Sequence, residues 1–106
     1  MHYGNLAKWI QAKLTNGEII EAVVIANSPR SYNIPNYEQQ PRHQVISWKE
    51  AKPWLDYDFV DGFFIADCNM VYVWTNLNVF FLHVDNESGS VWLDSVPRNP
   101  RNTFSV

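Results

Sequence analysis

The chain has little of the chemistry that usually announces a function. Cys68 is the one cysteine in 106 residues, which excludes an internal disulfide and any cysteine-rich zinc site. Four glycines are too few for a phosphate-cradling loop. The motifs that would use them, G-x-G-x-x-G, Walker A and G-x-S-x-G, are absent, as is H-E-x-x-H. The eight basic residues are scattered in twos (Lys8 with Lys13, Arg30 with Arg42, Lys49 with Lys52, Arg98 with Arg101), and the net charge is −3. Nucleic-acid binding wants a basic stripe that neutralises phosphates, so no nucleic-acid partner is expected. No apolar run approaches the ~20 residues of a membrane span, and the N-terminus lacks a charged-then-apolar signal region. No membrane partner is expected, and a reducing cytosol is the expected home.

Aromatic residues are abundant: 15% of the chain, five of them Trp. The most informative stretch is 70–96, which reads as two consecutive β-hairpins. Met70–Thr75 turns through Asn76-Leu77-Asn78 into Val79–Val84, and that run turns through Asp85–Gly89 into Ser90–Val96. Side chains alternate across a strand. One parity holds Val71, Val73, Phe80, Leu82, Val84, Val91 and Leu93, an almost purely aliphatic set suited to a core. The other holds Tyr72, Trp74, Phe81, His83, Trp92 and Asp94, aromatic bodies with polar tips suited to a surface that meets something.

Upstream, Asn5 is placed to cap a helix whose apolar positions Leu6, Trp9, Ile10 and Leu14 share a face, with Thr15-Asn16-Gly17 as its stop. Glu18–Ala26 is β-branched on both parities, as in a strand covered on both sides. Residues 28–43 carry Pro29, Pro35 and Pro41 in a polar run and predict a long irregular loop, functional or mobile. Ser47-Trp48-Lys49-Glu50 fits a capping box with Ile46 as its staple. The helix it opens must be short because of Pro53, after which Trp54 and Leu55 are expected to fold back on the sheet. Gly62–Ala66 predicts a further short strand, and residues 97–106 an extended tail. The chain is therefore expected to be a single α+β domain, 1–106. Its antiparallel sheet of about five strands ends in a C-terminal meander, with one N-terminal and one short helix packed on the aliphatic face.

Candidate reactive groups are few. Asp56-Tyr57-Asp58-Phe59-Val60-Asp61-Gly62 has the clustered carboxylates of a calcium loop, but its D-x-D-x-x-D-G spacing is off by one and the closing Glu is missing. Its aspartates read as caps and turn formers, and no metal or cofactor is expected. Cys68 and His83 fall on one sheet face if Trp74 pairs with Val79, yet no glycine-rich oxyanion loop accompanies them. His2 and His43 have no partner at ligand spacing.

The expectation is a small interaction module, a regulator or inhibitor, that docks another protein or its own copy through Tyr72, Trp74, Phe81, His83, Trp92 and Asp94. Tyr32 and Tyr37 of the long loop are expected to help, and a homodimer is the simplest assembly. The alternative is a small-ligand binder or an enzyme centred on Cys68, His83 and Asp67. A sheet packed on both sides would instead make the aromatic set a second core layer. In composition alone the chain resembles small acidic, aromatic-rich proteins of bacteria and phages, such as toxin-immunity proteins.

Overall fold

Two side-chain caps start the two helices. Asn5 has extended backbone and its Oδ1 accepts from the Lys8 N–H at 3.1 Å, satisfying one of the orphan donors of the first turn of α1, Leu6–Lys13. Ser47 does the same for α2, Trp48–Leu55, where its Oγ accepts from Glu50 N–H at 3.1 Å. Pro53 lies inside α2 and the helix continues through Trp54 and Leu55, which were expected beyond its end. In the last turn a proline removes a single intrahelical bond, and α2 gains the complete burial of Leu55.

The computed structural model describes residues 2–61, 67–85 and 87–98. The fold is α+β. Among the described residues the strands are β1 His2–Gly4, β2 Ile20–Ile25, β3 Val45–Ile46, β4 Phe59–Asp61, β5 Val71–Thr75, β6 Asn78–Val84 and β7 Val91–Pro97. Five form an antiparallel sheet in the order β3-β2-β5-β6-β7, and β1 pairs with β4 in a separate two-stranded ribbon. The expected strand Gly62–Ala66 and the tail beyond Arg98 lie outside the described residues.

The Trp74–Val79 pairing considered above is present in the meander, across the turn at Asn76 and Leu77, and Val84 pairs with Val91 across the second turn. The inner face of the sheet then presents Val23, Ile25, Val71, Val73, Phe80, Leu82 and Val91, all buried, to Leu6, Ala7 and Ile10 of α1 and to Ala51 and Leu55 of α2. At the ribbon, Trp9 meets Phe59 edge-to-face with ring centroids 5.4 Å apart. Gly4 permits this approach, since a Cβ there would stand 2.5 Å from Phe59 and 2.6 Å from Trp9.

Loop 28–43 is docked rather than loose. Ile34 is buried, and the short 3₁₀ turn Tyr37–Gln39 leads into Gln40, also buried. Gln40 forms a reciprocal amide pair with fully buried Asn69: Gln40 Nε2 donates at 3.0 Å and Gln40 Oε1 accepts at 2.8 Å. Asn69 Nδ2 also donates to the Ala26 carbonyl, and its Oδ1 accepts from the Tyr57 hydroxyl, both at 2.8 Å. Burial pushes the Tyr57 hydroxyl pKa up. Every polar atom in this knot has a partner, as buried polar groups must.

Candidate functional site

The outer face of the five-stranded sheet is built by the residues that alternate with the core. Its cross-strand rows follow from the register. One runs Val45–Val24–Tyr72–Phe81–Asp94, the next Ala22–Trp74–Val79–Val96, and the third pairs His83 with Trp92. Val45, Tyr72, Trp92 and Val96 are exposed, while Val24, Trp74, Phe81 and Asp94 are half-buried. His83 stacks on Trp92 with centroids 4.4 Å apart and planes 26° from parallel. Tyr72 and Trp74 lean together at 6.5 Å. These are cross-strand and same-face aromatic contacts of the kind that hold a sheet surface rigid. Asp94 turns its Oδ1 onto the N–H of Ser95 at 2.8 Å.

All six meander residues singled out from the sequence lie on this face, joined by Val79 and Val96, which share their parity, and by Val24 and Val45 from strands outside the meander. Tyr32 and Tyr37 are elsewhere. Tyr32 is exposed in the loop, where Arg30 Nε donates to its hydroxyl at 2.8 Å. Tyr37 is a loop anchor: its hydroxyl accepts from Ser28 N–H at 2.9 Å, and the Arg42 guanidinium sits 4.0 Å above its ring.

Cys68, His83 and Asp67 are not gathered into a reactive group. Cys68 precedes β5 and is fully buried. Its thiol is pushed up to about 12 by burial and then by the negative charges of Asp61 and Asp67, the opposite of what a nucleophilic thiolate needs. His83 is exposed and engaged with Trp92, and Asp67 faces Arg30 Nε at 3.2 Å.

The aspartate run performs structural jobs. Asn5 Nδ2 donates to Asp56 Oδ1 at 3.0 Å and to Asp58 Oδ1 at 3.1 Å, while Asp61 Oδ1 accepts from Val91 N–H at 2.9 Å. Among the described residues no group of three or more His, Cys, Asp or Glu side chains is disposed to hold a metal ion.

The sheet edges differ from its face. β3 offers only two residues. β7 is seven residues long, and its hydrogen-bond phase is set by Asp85 N–H donating to Ser90 O and Arg98 N–H donating to Leu77 O. Alternation then turns the backbone of residues 92, 94 and 96 toward β6, and that of 91, 93, 95 and 97 outward. Asp61 caps the outward N–H of Val91, Asp94 caps that of Ser95, and Pro97 has none. Such caps and prolines deter edge pairing.

Comparison of the chain with protein-family models, with curated proteins and with solved structures finds no match.

Proposed function

We propose that this chain is a protein-interaction module, a regulator or inhibitor that docks through the outer face of its sheet. The observation that carries the reading is the exposure of large aromatics in the middle of ordered strands: Tyr72 and Trp92 each keep 43% of their surface accessible. Tyr and Trp in a rigid, half-dry setting are the residues from which interface hot spots are made, and contiguous apolar patches on a monomer commonly mark an interaction site.

A second copy of the chain suits this face. In the cross-strand rows described above Asp94 is the one carboxylate and His83 the one titratable base, with Asp85 beside His83 at their end, so no ring of like charge within those rows opposes self-association. With β3 short and β7 capped, two copies would meet face to face rather than edge to edge, as sheets do in a sandwich.

Sedimentation over a concentration series tests this. The wild-type chain is expected to show a monomer–dimer equilibrium, and Tyr72→Ala to shift it toward monomer by about 2 kcal/mol, the loss typical of a central aromatic anchor. A chain that stays monomeric throughout, or an equilibrium indifferent to Tyr72, would contradict the proposal.

A further inference from the structure

We infer that a second site lies around the edge of the same sheet: the groove between α1 and β7, which takes a short extended peptide segment bearing a carboxylate. It goes beyond the face-docking reading, because it lies at the β7 edge beside α1 and shares only Trp92 with the outer face.

The groove is a shallow, solvent-open depression of about 300 Å³ lined by Trp9, Ala12, Lys13, Trp92 and Leu93. That is the small end of ligand pockets, room for one or two side chains rather than a nucleotide or flavin. Both aromatic walls are held in place before anything binds: Trp9 lies edge-on to Phe59, and Trp92 stacks on His83. Walls already ordered lower the entropic cost of binding.

Two features name the occupant. The first is backbone. Of the outward-facing positions of β7, Val91 and Ser95 have their N–H groups capped and Pro97 has none. Among the described residues Leu93 alone keeps an uncapped outward N–H, with its carbonyl beside it, and Leu93 lines the groove. An N–H and C=O on one edge residue are what an added strand pairs with. Among the described residues the edge is thus closed along its length and open at one residue, where a groove receives side chains.

The second feature is charge. Among the described residues Lys13, in the last turn of α1, is the single charged residue lining the groove, and it enters no ion pair. Its Nζ sits 5.9 Å from the centre of the Phe80 ring, against apolar surface where a carboxylate partner is attractive. A lipid or free anion would use Lys13 and leave the Leu93 backbone pair idle; a peptide uses both.

The probe is the peptide acetyl-Glu-Thr-Leu-Thr-Glu-amide. Its central Leu side chain would enter the groove opposite Leu93, and either strand direction would bring one Glu toward Lys13. In nitrogen–proton correlation spectra of the full chain, the Leu93 amide and the Trp9 and Trp92 indole signals are expected to shift saturably. Replacing both Glu by Lys in the peptide should weaken binding about tenfold or more. Lys13→Glu should reverse that preference, so that the lysine peptide binds the variant better, a rescue that a merely misfolded variant would not show. Tyr72→Ala, on the outer face, should leave the titration unchanged, so the two proposals fail separately. Absence of a saturable shift at Leu93, equal binding of the two peptides, or an unreversed preference in Lys13→Glu would overturn the assignment.

Discussion

On β5, Val73 is fully buried while Tyr72, one residue earlier, is 43% exposed. On β6 buried Leu82 is followed by exposed His83, and on β7 buried Val91 by exposed Trp92. The same three strands, with the same backbone pairing, thus make an aliphatic surface that two helices cover and an aromatic one that no helix covers among the described residues. The difference teaches that aromatic content and core content are separate quantities in this chain. The aliphatic inner set does most of the work of burying surface, and four of the five Trp residues (9, 48, 54 and 74) are only partly buried, while Trp92 is exposed.

The contrast predicts unequal responses to substitution. Leu82→Ala, on the inner face, should cost about 2–5 kcal/mol in urea unfolding, the range for a truncated core side chain. A loss under about 1 kcal/mol would mean that the inner face is not the core.

Asn69→Ala tests the polar knot that seats the long loop. It leaves the Gln40 amide and the Tyr57 hydroxyl short of partners, at about 1–3 kcal/mol for stranded buried groups. Limited proteolysis should then cut within 28–43 before the rest of the chain, and unchanged cleavage would show that the loop is held by other contacts.

Glu18 should tie stability to pH. Burial alone would raise its pKa, but hydrogen bonds from Thr75, Asn78 and Thr15 outweigh it and hold the carboxyl at about 2. A depressed carboxylate stabilises the fold above its ordinary value of 4.5, and that contribution fades as pH falls from there toward about 2. Glu18→Gln should flatten the acid limb of a stability–pH profile, and a profile of unchanged slope would refute the role given to Glu18.

The smallest response belongs to Cys68. Buried and with its thiol raised to about 12, it should react with disulfide reagents at neutral pH only as fast as the chain opens. Rapid labelling of the folded protein would bring the cysteine chemistry back into consideration.

What was legible in the sequence was local. Asn5 and Ser47 announce helices because a cap is a contact over three residues, and the meander shows because alternation and turn residues sit in one window. The register around Trp74 and Val79 follows from the short turn at Asn76 and Leu77. What was not legible depends on distant pairing. β1, β3 and β4 are too short to show periodicity and exist because Tyr3 finds Val60 and Val24 finds Val45. The Asn69–Gln40–Tyr57 knot joins three segments that no spacing connects. At the candidate sites, parity named the aromatics of the outer face, but Lys13 and Leu93 come to line one groove only once α1 has packed on the sheet. Loop residues Tyr32 and Tyr37 look like binding aromatics in sequence, and what the sequence does not show is that they sit against Arg30 and Arg42, away from the outer face.

Whether the two faces have different tasks is tested most directly by the adjacent pair Tyr72 and Val73. Urea unfolding and sedimentation would be run on both alanine variants of the full chain. Val73→Ala should lose about 1–3 kcal/mol of stability. Tyr72→Ala should lose less than about 1 kcal/mol of stability while weakening association by about 2 kcal/mol. If Tyr72→Ala instead destabilises the fold as much as Val73→Ala and leaves association where it was, the outer face is a second core layer and not a docking surface.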